Sequence, residues 1–147
     1  MPIGARFPIA PRCVDSMPSV AKGTFTVEMK PQAAPNAADG VSLGRMSLDK
    51  RFEGDLVAVG KGEMLTALTL IKGSAGYVAL ERVTGALHGH AGSFVFQHSG
   101  TMDQGAQRLS IMVVPGSGTG ALAGISGEFR IEISEGRHSY EFEYSLP

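Results

Sequence analysis

The chain has 147 residues, 43% of them hydrophobic, and a formal net charge of −1. That length suits one domain with a real core, and the hydrophobic share excludes wholesale disorder. Without a Lys/Arg cluster there is no footprint for nucleic acid. No apolar run approaches the roughly 20 residues of a spanning helix, so no membrane partner is expected either.

Residues 1–21 are expected to be a flexible tail, and 22–147 a single β-barrel domain. Pro2, Pro8, Pro11 and Pro18 interrupt any periodicity at the start and leave no apolar signal core. A cytoplasmic location follows by default. Met17 is an alternative start, and a second option lays the tail over a barrel mouth as a lid. The single Cys13 has no internal partner, which agrees with a reducing compartment.

Alternating apolar residues then mark strands in turn. Phe25, Val27 and Met29 come before a Pro/Ala/Asn-rich loop over 31–40. Met46, Leu48 and Phe52 follow, then Val57 and Val59. Further runs cover 77–87, 93–101, 108–114, 127–134 and 138–145. Eight strands separated by turn signals give an all-β fold, an antiparallel barrel or a sandwich. The 20 glycines suit its turns and corners. Only 64–71 has any helical character, and it is short and β-branched.

Turn chemistry sets the pairing. A two-residue loop at Glu135-Gly136 pairs Ile133 with His138, Ile131 with Tyr140 and Phe129 with Phe142, and puts Arg130 opposite Glu141. A similar loop at Glu53-Gly54 sets Lys50 opposite Val57 and Leu48 opposite Val59. Two registers are open for the next hairpin. A loop at Gly89-His90 pairs Glu81 with His98 directly, and one at His88-Gly89 makes them diagonal neighbours. Both keep carboxylate and imidazole on one face, about 5 Å or 7–8 Å apart at Cβ.

Every second strand residue shares a face. His138, Tyr140, Phe142 and Tyr144 therefore line one side together, and Phe94, Phe96 and His98 another. A carboxylate and an imidazole among aromatic rings must pair or meet a ligand. Glu81 and His98 are accordingly candidates for an acid/base pair; the competing account is a satisfied core network with Tyr140 and Tyr144. Lys50 enters the same cavity or snorkels to water. His88 and His90 have a metal-like spacing but sit in a turn with no carboxylate to follow, so no metal and no cofactor is expected. The run Gly116-Ser-Gly-Thr-Gly120 lacks the Lys-Ser/Thr of a phosphate loop. It reads as a corner crossing the barrel end, with Leu122 and Ile125 plugging it.

The strings Gly76-Tyr-Val-Ala-Leu-Glu-Arg82, Gly92-Ser-Phe-Val-Phe-Gln-His-Ser-Gly100, PGSGTGALAGISG over 115–127 and His138-Ser-Tyr140 carry a resemblance. They resemble a bacterial domain-of-unknown-function family whose barrel is similar to that of allene oxide cyclase and, more distantly, of plant dirigent proteins. The resemblance spans roughly residues 22–146. It implies an eight-stranded antiparallel barrel with a central cavity, often in dimers or trimers. Relatives with known activity steer cyclisation or coupling of hydrophobic molecules mostly by shape, without a metal.

Three functions stay open on these residues. The first is a binding protein for a small apolar or aromatic molecule. Phe94, Phe96, His138, Tyr140, Phe142, Tyr144 and Lys50 would line its site, and Glu81 and His98 would orient the ligand. The second is a cofactor-free isomerase, cyclase or lyase with Glu81 and His98 as catalytic acid and base. The third is a structural or interaction role, which needs a filled barrel. A homo-oligomer is expected through Val78, Leu80 and Val95 if Tyr77, Ala79 and Glu81 point inward.

Overall fold

A computed structural model describes residues 18–147; residues 1–17, including Cys13 and most of the expected tail, lie outside it. Nine strands follow: β1 Ser19–Pro31, β2 Asn36–Ala38, β3 Val41–Gly54, β4 Leu56–Thr69, β5 Ala75–Leu87, β6 His90–Asp103, β7 Ala106–Val113, β8 Ser126–Ser134 and β9 Arg137–Ser145. A 3-10 turn, Gly120–Leu122, is the one helical element among the described residues. None of these elements is a helix long and apolar enough to cross a membrane.

The sheet runs β1-β9-β8-β7-β6-β5-β4-β3 and returns to β1, with all pairings antiparallel. This closes an eight-stranded barrel and removes the free edges that would invite aggregation. Tiny β2 sits outside that ring, paired only to the first residues of β3. The closure is uneven. Most neighbours share long ladders, but β7 and β8 meet at a single pairing, Met112 with Glu128.

The segment after β7 explains the gap. Ser117 Oγ accepts the Val95 amide at 3.0 Å, and Thr119 Oγ accepts the Ser93 amide at 3.0 Å. Hydroxyls here stand in for a strand, so the glycine-rich run is a corner rather than a phosphate cradle. Leu122 and Ile125 are 1% and 2% exposed and plug this end of the barrel, as the sequence suggested.

Above the plug the lumen is packed with rings. Phe94, Phe96, Phe129 and Phe142 have centroids 4.8–5.8 Å apart in tilted, edge or stacked contacts, and Tyr144 adds to Phe142 at 5.4 Å. Each ring so buried contributes about 2 kcal/mol through lost contact with water.

Two hairpins match their turns. The β8–β9 register pairs Ile133 with His138 and Phe129 with Phe142, and Arg130 opposes Glu141 as expected. The Arg130 guanidinium nevertheless reaches Glu128 and Glu143 at 3.4 and 3.5 Å. Between β5 and β6 the loop is His88-Gly89, with positive φ at both residues, so Glu81 opposes Phe96 and His98 opposes Ala79.

The β3–β4 expectation fails: Lys50 opposes Gly60, not Val57, and Leu48 opposes Gly62, not Val59. The turn is wider than two residues because it is tied to β1. Asp55 donates its amide to Lys22 O at 3.0 Å and accepts the Lys22 amide on Oδ2 at 2.9 Å, with Gly54 at φ 100°. Leu56 and Ala58 therefore turn inward, while Val57 and Val59 face out. Of the stretch with helical character, 64–69 is the second half of β4, and Leu70 and Ile71 lie in the bend that follows.

Tyr140 locks this same turn from inside. Its hydroxyl accepts the Leu56 amide at 2.9 Å and donates to Glu53 O at 2.8 Å. Tyr140→Phe strands a buried amide and is expected to lower stability by about 1–3 kcal/mol. Equilibrium urea unfolding checks this, and an unchanged midpoint would mean that water reaches the turn.

Candidate functional site

Beyond the rings, toward the end opposite the plug, the lumen turns polar. Lys50 on β3, Glu81 on β5 and His98 on β6 all point inward and are 8%, 0% and 3% exposed. Burying one such group unpaired would be prohibitive. Lys50 Nζ donates to Glu81 Oε1 at 3.1 Å, and His98 Nε2 donates to the same oxygen at 2.9 Å. Half-buried Tyr77, also on β5, places its hydroxyl 3.4 Å from His98 Nδ1.

This cluster exists because the facing positions are small. Lys50 opposes Gly60, Glu81 opposes Gly62, His98 opposes Ala79, and Tyr77 opposes Gly100. Lys50 and Glu81 stand on strands separated by β4, and they meet across it because β4 carries glycine at both intervening inward positions. A Cβ on Gly60 would lie 2.2 Å from Glu81 Oε2. On Gly100 it would lie 2.5 Å from the Tyr77 ring.

The electrostatics follow from this crowding. Burial alone would push the Glu81 carboxyl up, but the His98 hydrogen bond and the Lys50 charge hold it below its usual value. Glu81 is therefore a carboxylate at neutral pH. Burial, then the Glu81 charge, push the Tyr77 phenol up, so it stays protonated. Lys50 Nζ also lies 5.0 and 5.9 Å from the ring centroids of Phe25 and Phe52, whose faces attract the cation. One valence is unmet: Glu81 Oε2 is buried without a hydrogen-bond partner among the described residues.

The far end is open to water. Met29 and Ile133 occupy inward positions of β1 and β8, yet are 49% and 64% exposed. Tyr77 stands between that mouth and the three buried polar groups. Chemically, the line Tyr77–His98–Glu81 with Lys50 behind it can orient a polar group or move a proton between phenol and imidazole.

The structure thus divides the residues singled out in the sequence. Glu81, His98 and Lys50 come together. Phe94, Phe96, Phe142 and Tyr144 belong to the ring stack nearer the plug, and the Tyr140 hydroxyl is engaged by the β3–β4 turn. His138 packs against Phe25 at 5.1 Å between centroids. His88 lies in an exposed turn as expected, but its ring bonds the Tyr144 hydroxyl and approaches Asp55 Oδ2 at 3.5 Å. No group of three or more His, Cys, Asp or Glu among the described residues is placed to hold a metal. Tyr77 is a site residue that the sequence reading misses, although its same-face spacing from Glu81 on one strand signals it.

The outer face of β4–β6 carries a second concavity. Leu65, Val78 and Leu80 are more than half exposed there and, with Val95, form part of a groove of about 910 Å³ bordered by Lys61, Glu63 and Arg82.

The family described as "Protein of unknown function (DUF3224)" matches residues 21–144. The chain belongs to the DUF3224 family. It is also similar to a solved crystal structure of a DUF3224 protein of unknown function from Shewanella oneidensis MR-1. The two share 48% identity with a TM-score of 0.84, over 88% of this chain and 98% of that one. None of the curated proteins compared matches the chain. The resemblance read from the motifs is therefore correct at the level of this family, and the DUF3224 barrel is where the buried Lys50–Glu81–His98 cluster must be explained.

Proposed function

We propose that the mouth half of the barrel binds a small apolar or aromatic molecule, with Glu81, His98 and Lys50 fixing its orientation and Tyr77 meeting it first. The observation that carries this reading is the unmet Glu81 oxygen in a cluster beneath a solvent-reached mouth. A purely structural core rarely leaves a buried carboxylate oxygen bare, whereas binding sites are apolar with a few convergent polar groups. The ring stack of Phe94, Phe96 and Phe142 serves as the floor. Native mass spectrometry of protein purified from its own host is expected to show a retained small molecule that leaves on denaturation. A mass equal to the bare chain in every preparation counts against a tightly held ligand.

A second reading is supported by the Tyr77–His98–Glu81 line. It makes the protein a cofactor-free isomerase, cyclase or lyase, the kind of activity that the resemblance of its motifs to allene oxide cyclase barrels implies. Turnover of the retained molecule separates the two readings. We further infer a cytoplasmic protein that works as a dimer or trimer through the outer groove, where Leu65, Val78 and Leu80 lie exposed side by side. Light scattering at micromolar concentration is expected to give a multiple of 15.4 kDa; a monomer would return this face to solvent.

A further inference from the structure

We propose that the molecule held at the mouth presents a hydroxyl, as a phenol or an alcohol does, and that Tyr77 Oη accepts it. This rests on the ligand reading above and narrows it to a chemical class. A carboxylate only accepts, so the 2.9 Å contact between His98 Nε2 and Glu81 Oε1 puts a proton on Nε2. In the neutral imidazole, Nδ1 is then an acceptor. Its partner at 3.4 Å is the Tyr77 hydroxyl, whose hydrogen is thereby engaged. What Tyr77 has left to offer a ligand is its oxygen lone pairs. The other unmet valence, Glu81 Oε2, is also an acceptor. The remaining Lys50 hydrogens are beside the faces of Phe25 and Phe52. The cluster is therefore short of a donor, and a ligand supplying one relieves it. A ketone or ether offers only acceptors, and a carboxylate would meet the negative charge of Glu81.

Three probes on one frame test this on the full-length protein: 1-naphthol, 1-methoxynaphthalene and naphthalene, titrated by calorimetry and followed by NMR at Tyr77 and His98. Naphthol is expected to bind about tenfold or more tightly than the ether, because the ether leaves the acceptors unmet. Tyr77→Phe should erase that preference, bringing naphthol and the ether to within about twofold of one another. Equal affinity for naphthol and ether would overturn the donor inference and leave the apolar site standing. Binding of none of the three would retire the mouth site and the inference together. Nitrogen NMR of His98 in the free protein is an independent check. The neutral, Nε2-protonated tautomer is expected, and a proton on Nδ1, in the other tautomer or in the imidazolium, would free the Tyr77 hydrogen and reverse the selectivity.

Discussion

Glu81→Gln is expected to lower stability by about 3–5 kcal/mol, the usual penalty for breaking a buried ion pair from one side. Glutamine keeps the shape but removes the charge, leaving the Lys50 ammonium, 3.1 Å away and 8% exposed, without a counter-ion. The pair Lys50→Met with Glu81→Leu should recover most of the loss, since an apolar replacement of a whole buried pair is often neutral or stabilising. Urea unfolding at neutral pH measures both. The acid limb offers a second check. The folded-state carboxyl lies below its ordinary value of 4.5, so the unfolded chain binds that proton more readily. The stabilisation is complete above that value and drains away as pH falls through it toward the lower folded value. Stability of Glu81→Gln should accordingly fall less steeply in acid than that of the unmodified chain. A loss under about 1 kcal/mol would show that water reaches Lys50 and that the cluster is not dry.

Gly62→Ala should come next in severity, and Gly60→Ala should differ from it in kind. A Cβ on Gly62 would sit 2.0 Å from the Leu80 carbonyl oxygen and 2.7 Å from the Glu81 Cα. Backbone cannot step aside, so β4 and β5 must separate, at about 1–3 kcal/mol or more. On Gly60 the new methyl meets the end of a side chain, Glu81 Oε2. That carboxylate can rotate away, but only by leaving Lys50 and His98. Gly60→Ala should therefore cost less stability while shifting the His98 ring resonances and the acid limb. If Gly60→Ala proves the more damaging of the two, the carboxylate is held more rigidly than its contacts imply.

The sequence carries the fold because strand alternation and turn glycines are local signals. Phe94, Phe96 and His98 on one face, and His138, Tyr140, Phe142 and Tyr144 on another, follow from a period of two and survive any error in pairing. Register is not local. At Glu53-Gly54 the turn residues suggest a tight loop, but Asp55 is held by Lys22 from a strand some thirty positions earlier in the chain, and the pairing slides. With it goes the partner of Lys50. The Glu81–His98 contact is legible because both registers keep it. Lys50 is legible as a lining residue, but whether it enters the lumen or snorkels to water is decided only by the glycine it faces. The Gly-Lys-Gly at 60–62 is the signal, and its glycines matter as room for side chains rather than as turn material.

The single Met112–Glu128 pairing bears on how such a barrel moves. Elsewhere, parting two strands means breaking a whole ladder at once. Here it means breaking one pairing, while Ser117 and Thr119 keep the segment after β7 fastened to β6, so this seam is the low-energy route for local opening. Amides of β7 and β8 should exchange their hydrogens ahead of those in β4 and β5. A molecule too large for the mouth would enter between these two strands, and its rate of entry would then be set by how often the seam parts rather than by how well the site fits.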